Sequence, residues 1–145
     1  MPQIQFMWDQ LQDQNRLIAE QRRYNPEEEK ALAEQRIPTL NVGQTSAFHK
    51  IIAAVNDKSG KCFFLHGPGG TGKTYVYNTV CHHLRGSRKI VLCVASSGIA
   101  ALLLSGGRTA HSRFKIPIEV HEDSVCSIRK NTDLAGLICN ADLIV

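Results

Sequence analysis

The chain has 145 residues, 43% of them hydrophobic and 21% charged, with a formal net charge of +4. That is the length of one domain, with an ordinary soluble composition. No apolar run approaches the roughly 20 residues of a membrane-spanning helix, and the start "MPQIQFMWDQ" lacks the basic and apolar regions of a secretory signal.

Residues 3–24 mix Gln, Arg and Asp with scattered Leu and Ile. They are compatible with a helix but show no clean apolar stripe. "YNPEEEKALAEQRIP" is clearer: Asn25 can cap, Pro26 suits the first helical position, and Glu27 to Glu29 suit the positive helix start. Pro38 ends that helix. Residues 1–38 therefore read as a helical, charged, mostly solvated lead-in. A further helix starts at "LNVGQTSAFHKIIAAV", capped by Asn41, with Phe48, Ile51, Ile52 and Val55 at helical spacing. "KCFFLH" then reads as a short buried strand.

A glycine loop follows, and after it the helix "TYVYNTVCHHL", burying Val76, Val80 and Leu84, with Gly86 able to end it. "RKIVLCVA" reads as a second buried strand and "SSGIAALLLSGG" as a turn and short helix. "DLAGLICNA" reads as a helix and "DLIV" as a strand. Strands alternating with helices predict an α/β protein with a mainly parallel sheet.

The five cysteines are widely spaced and form no C-x-x-C, which argues against a zinc site and for a reducing compartment such as cytosol or nucleus. Cys62 and Cys93 fall in apolar runs, where a thiol serves as a small hydrophobe. The adjacent "CHH" at 81–83 points in different directions on a helix and makes a poor metal site. Charge is uneven. Residues 1–40 carry seven acidic and five basic side chains, the remainder six and twelve. The basic part favours polyanionic partners.

The chemistry sits in "HGPGGTGKTY". Gly67, Gly72, Lys73 and Thr74 satisfy G-x-x-x-x-G-K-[ST], with Pro68, Gly69, Gly70 and Thr71 between them. Glycines let backbone N–H groups converge on phosphate oxygens, and the following helix adds its positive end. Lys73 should reach the β- and γ-phosphates of a nucleotide, and the Thr74 hydroxyl should ligate Mg²⁺. These two are the candidate catalytic residues. The loop alone fits kinases, GTPases, transporters and helicases alike.

"ASSGIAALLLSGGRTAHSRFKIP", residues 95–117, resembles the DNA-contacting segment of the Pif-family helicases of superfamily one, Helitron helicases included. The resemblance extends over about residues 24–145. It implies a RecA-like P-loop NTPase fold, the first motor domain beginning near residue 39. It implies an ATP-dependent 5′ to 3′ DNA helicase of repair, recombination or telomere maintenance, in the nucleus or, alternatively, the mitochondrion. Gln44 falls at the family's adenine-recognising glutamine, or it completes a capping box with Asn41; both can hold. Ser97, Gly98 and Ala101 match the motif that grips the DNA backbone, with Ser97 where many relatives have Thr.

Thr109, His111 and Phe114 match a "T-x-H-S-x-F" pattern on the DNA track. Phe114 can stack on a base of single-stranded DNA, or it belongs to the core, with His111 a loop residue. Arg108, Arg113 and Lys115 surround it with positive charge.

The family's adjacent Asp and Glu, which serve Mg²⁺ and the attacking water, should follow "ADLIV", beyond Val145. Asp142 begins that strand, about 10 Å from the metal end, and is a poor substitute. The reading expected here is a truncated nucleotide-binding portion, with at most weak hydrolysis and with the rest of the motor as its missing partner. It also predicts a gap or exposed edge beside "KCFFLH", which invites association. The competing reading is a P-loop switch module without motor activity.

Overall fold

The computed structural model describes residues 15–145; the part of the lead-in helix expected before Asn15 lies outside them. Five helices matter most. α1 (Arg16–Gln21) and α2 (Pro26–Arg36) form the lead-in, and a 3₁₀ turn (Ile37–Thr39) follows. α3 (Val42–Asn56) and α4 (Lys73–Gly86) carry most of the core, and α7 (Asp133–Cys139) precedes the last strand. Two short helices, α5 (Gly98–Leu102) and α6 (Ala110–Phe114), lie between.

The caps are those the sequence announces. Asn25 caps α2 with Pro26 at the first helical position. Asn41 and Gln44 form a reciprocal capping box on α3. The 3₁₀ turn at Ile37 is what the chain does once Pro38 blocks the α-helix.

The strands are short and parallel: β1 (Val91–Leu92), β2 (Val94–Ala95), β3 (Arg108–Thr109) and β4 (Leu143–Ile144). β1 pairs with β4 and β2 with β3. Leu92 O accepts from Val145 N while Cys93 O accepts from Arg108 N, so successive carbonyls of the run 90–95 reach opposite neighbours. The predicted strand "RKIVLCVA" is thus real but divided at Cys93.

"KCFFLH" is a correction. Residues 61–66 form no strand, and Phe64 is 90% exposed. A parallel strand exists only with a hydrogen-bonded neighbour, and none of β1 to β4 pairs with this segment. Cys62 is accordingly exposed, unlike the buried Cys93. An open cavity of about 450 Å³ separates the segment from β4, lined by Ile51, Val55, Lys61, Phe63, Ala141 and Leu143.

The core is built on α4. Val76, Val80, Cys81 and Leu84 are buried with Phe48 and Val55 of α3 and with Val91 and Cys93. A second cluster joins Ile18, Ile90, Leu92 and Leu137. Ile18 is fully buried, so α1 is held by the sheet even though most of the lead-in surface is solvated. Asn15 caps α1 and also donates to Asp133 O of α7, at 2.9 Å.

α2 lies against α4 at Gly86. A Cβ there would stand 3.0 Å from the Lys30 backbone. Gly86 is still helical, with Ser87 as the cap. Its reason for being glycine is this close approach, not the helix stop that its position suggests.

The "CHH" triplet sends its side chains to three neighbours. Cys81 Sγ lies 3.2 Å from Cys93 Sγ. His82 Nδ1 meets Glu29 Oε2 at 2.7 Å, both buried. His83 packs edge-on against Phe48, centroids 5.4 Å apart. Glu29, expected to serve the start of α2 as a solvated charge, is therefore also a buried partner of α4. The Cys93 thiol is pulled down by the Cys81 hydrogen bond and the Arg85 guanidinium, while the same bond and burial push Cys81 up.

Candidate functional site

The loop between Leu65 and α4 makes its turn with Gly70 and Gly72 at φ of 76° and 78°. Side chains rarely adopt that region, and at Gly72 a Cβ would also stand 2.6 Å from Gln44 Nε2. Gly72 occupies the cap of α4 without any side-chain acceptor for the first amides. Among the described residues, no backbone N–H from Gly69 to Tyr75 donates to a protein acceptor. Unpaired donors at a helix start form an anion site with the dipole behind it.

Two side chains close this loop on itself. Thr71 Oγ1 donates to Pro68 O at 2.8 Å. Lys73 Nζ donates to Gly67 O at 2.6 Å and to Pro68 O at 2.7 Å. A phosphate oxygen would compete for this ammonium against neutral carbonyls, adding the attraction of a full negative charge to the hydrogen bond. The Thr74 hydroxyl makes no hydrogen bond among the described residues and is half-exposed.

Gln44 uses both ends of its amide. Oε1 accepts from Asn41 N at 3.0 Å, closing the capping box. Nε2 donates to Thr71 O at 3.1 Å, tying α3 to the loop. Asp142 sits away from this chemistry: Oδ2 accepts from Ile90 N at 2.9 Å, and Oδ1 lies 3.6 Å from Lys89 Nζ. Among the described residues, no cluster of three His, Cys, Asp or Glu side chains could hold a metal by itself.

The second group of candidates lies on α5, β3 and α6. Ser97 caps α5, its hydroxyl accepting from Ala100 N at 3.3 Å, and Gly98 is exposed with open space around it. Ala101 is buried, so its side chain faces the interior. Thr109 caps α6 through Ser112 N. His111 is exposed and Phe114 is half-buried. Arg113 corrects the sequence reading: it is 5% exposed, with Nε unpaired, and cannot meet a phosphate in solvent. Burial, with Arg108 nearby, lowers its guanidinium from the usual value. Arg108 and Lys115 remain exposed, Arg108 lying 3.9 Å from Glu20 of α1.

Sequence reasoning missed three residues. Tyr75, beside Thr74, bonds Thr39 through its hydroxyl at 2.8 Å and lies under Arg36. Asn78 and Arg85 fasten α4 to residues 103–105. Their spacing of two helical turns, on one face, was the available signal. A lone Asn and Arg on a helix otherwise read as a solvated face.

A mixed helix–strand fold with parallel pairs, and a glycine loop leading into a helix start rich in unpaired amides, are compatible with a P-loop NTPase. Residues 39–145 match the PIF1-like helicase family, and the chain belongs to it. It is similar to the ATP-dependent DNA helicase Pif1 of Psychrobacter sp. (strain PRwf-1), 49% identical over 55 residues, covering 38% of the chain and 8% of that protein. It is also similar to the ATP-dependent DNA helicase PIF4 of Trypanosoma brucei brucei, 34% identical over 92 residues, 59% of the chain and 11% of that protein. A weaker likeness, 34% identical over 65 residues, links it to the regulator of nonsense transcripts 1 of Dictyostelium discoideum, covering 42% of the chain and 4% of that protein. The chain thus spans about a tenth or less of the length of these curated relatives. Among the described residues, no helix is long and apolar enough to cross a membrane.

Proposed function

We propose that this chain is the nucleotide- and DNA-binding part of the first, RecA-like motor domain of an ATP-driven 5′ to 3′ DNA helicase. The observation that carries the reading is the run of unpaired amides from Gly69 to Tyr75 at the head of α4, with Lys73 poised on the same loop. The triphosphate of ATP would take those amides. Lys73 would leave the Gly67 and Pro68 carbonyls for the β- and γ-phosphate oxygens.

The residues at the loop fit Mg²⁺ bound as the nucleotide complex. The unengaged Thr74 hydroxyl would hold it, phosphate oxygens supplying further ligands. The ion would neutralise charge building between the β- and γ-phosphates. Gln44, already turned toward Thr71, would offer its amide to adenine while the capping box holds its backbone.

Single-stranded DNA would run along Ser97, Gly98, Thr109 and His111, with Phe114 as the stacking ring and Arg108 and Lys115 toward phosphates. Ala101 would support that track from beneath. Asp142 is engaged at the far end of β4, so hydrolysis by this chain alone is weak at most. The rest of the motor is its expected partner. Repair, recombination or telomere maintenance would be the setting, in the nucleus.

Titrating the chain with a fluorescent ATP analogue and Mg²⁺ tests the reading. Saturable binding that Lys73→Ala weakens at least about tenfold supports it, since loss of a charged hydrogen bond is worth about 1.5–3 kcal/mol. Equal binding by both proteins sinks it.

A further inference from the structure

One helix reaches both groups of site residues. The head of α4 carries Lys73 and Thr74. Further along, Asn78 and Arg85 hold the turn that precedes β3. Asn78 Nδ2 donates to Leu103 O at 2.9 Å, and Asn78 Oδ1 accepts from Ser105 N at 2.8 Å. Arg85 Nη1 donates to Ser105 Oγ at 2.8 Å and Nη2 to Ser105 O at 2.9 Å. The two residues are seven apart, two turns of helix, and so share a face.

Arg85 is 3% exposed and its guanidinium lies 4.1 Å from the Tyr24 ring centroid. A buried charge persists only when its hydrogen bonds are supplied, and Ser105 supplies two of them. Nη2 also reaches Val91 O at 3.4 Å and Cys93 Sγ at 3.8 Å, but the two shortest bonds of the guanidinium go to Ser105. Beyond the turn, Gly106 takes a φ of 63° against Tyr24, and Arg108, Thr109, His111 and Phe114 follow directly. Only Gly106 and Gly107 lie between Ser105 and Arg108, and Gly107 N donates back to Leu104 O at 3.0 Å.

We infer that Asn78 and Arg85 are positioning residues that couple the nucleotide at the head of α4 to the placement of residues 103–114 against single-stranded DNA. The inference rests on the functional reading above. A shift of α4 on filling the phosphate loop moves both side chains with it, and the paired donor and acceptor on Asn78 carry the turn along. Coupling of this kind is reciprocal: DNA changes nucleotide affinity by the same factor as nucleotide changes DNA affinity.

The test measures that factor with a fluorescent ATP analogue, Mg²⁺ and an oligothymidylate on the whole chain. The wild-type protein should give a common factor of at least about five in both directions. Asn78→Ala and Arg85→Lys should bring it toward one, while nucleotide affinity without DNA changes less than about twofold. Asn78→Asp, which keeps the acceptor for Ser105 N, should fall between. Ile18→Val, in the remote α1 cluster, serves as the stability control and should keep the full factor.

Asn78 is half-exposed, so Asn78→Ala reads the effect even if Arg85→Lys fails to fold. Binding of both ligands with a wild-type factor of one overturns the inference and leaves the functional reading standing. So does an unchanged factor in Asn78→Ala. Binding of neither ligand overturns both.

Discussion

The two ends of α4 are bonded in opposite ways. Its first turn offers amides that meet no protein acceptor among the described residues, a left-handed glycine in the cap and a lysine resting on loop carbonyls. Its second half is nearly all buried: Thr79, Val80, Cys81, His82, Leu84 and Arg85 each sit in packed or hydrogen-bonded surroundings. One helix thus separates stability from chemistry along its length. The packed end carries the stability, while the solvent-facing donors at the open end cost little and stay available to a ligand.

The comparison breaks first at the packed end. Leu84→Ala removes a side chain that is 1% exposed and should cost about 2–5 kcal/mol, read as a lower urea midpoint. At the open end, Lys73→Ala should move the urea midpoint far less while weakening nucleotide affinity at least about tenfold, because its bonds are to loop carbonyls that are exposed at Pro68 and only part-buried at Gly67. A stability loss in Lys73→Ala as large as that in Leu84→Ala would erase the distinction. Glu29→Ala is intermediate. It leaves buried His82 without its 2.7 Å partner and should cost about 1–3 kcal/mol, with nucleotide affinity retained. Phe114→Ala sharpens the contrast from outside α4: single-strand affinity should fall by about 1 kcal/mol, the low end for a stacked base because the ring is half-buried.

Local rules made much of this legible. Asn25, Pro26, Asn41 and Gln44 each act within a few residues of themselves, so their caps were readable without any tertiary knowledge. The turn of the glycine loop, with Gly70 and Gly72 in the left-handed region, was readable for the same reason. "KCFFLH" failed because a strand is a pairwise object: apolar composition proposes it, and only a neighbour completes it. Glu29, Arg85 and Arg113 failed differently. A charged residue in a helix reads as solvated, and nothing local announces that His82, Ser105 or the chain around Cys93 will enclose it. Gly86 was noticed for the wrong reason, since close helix approach and helix termination ask for the same residue.

The smallest effect expected is in acid, and it reports on the middle of α4. His83 is half-buried against Phe48, and burial first, then the charge of His49, lowers its imidazolium below the ordinary value of 6.5. The unfolded chain therefore takes up this proton at a higher pH than the folded one does. Above 6.5 both states hold neutral His83 and its contribution is fully present; as pH falls through that value the unfolded state gains, and stability drops until the folded pKa is passed. Urea midpoints between about pH 8 and about pH 5 should decline on the acid side, and His83→Gln should flatten part of that decline. His49→Gln should flatten it less, because repulsion is the second cause and burial the first. If His83→Gln left the acid slope untouched, the ring would be titrating as a solvated one.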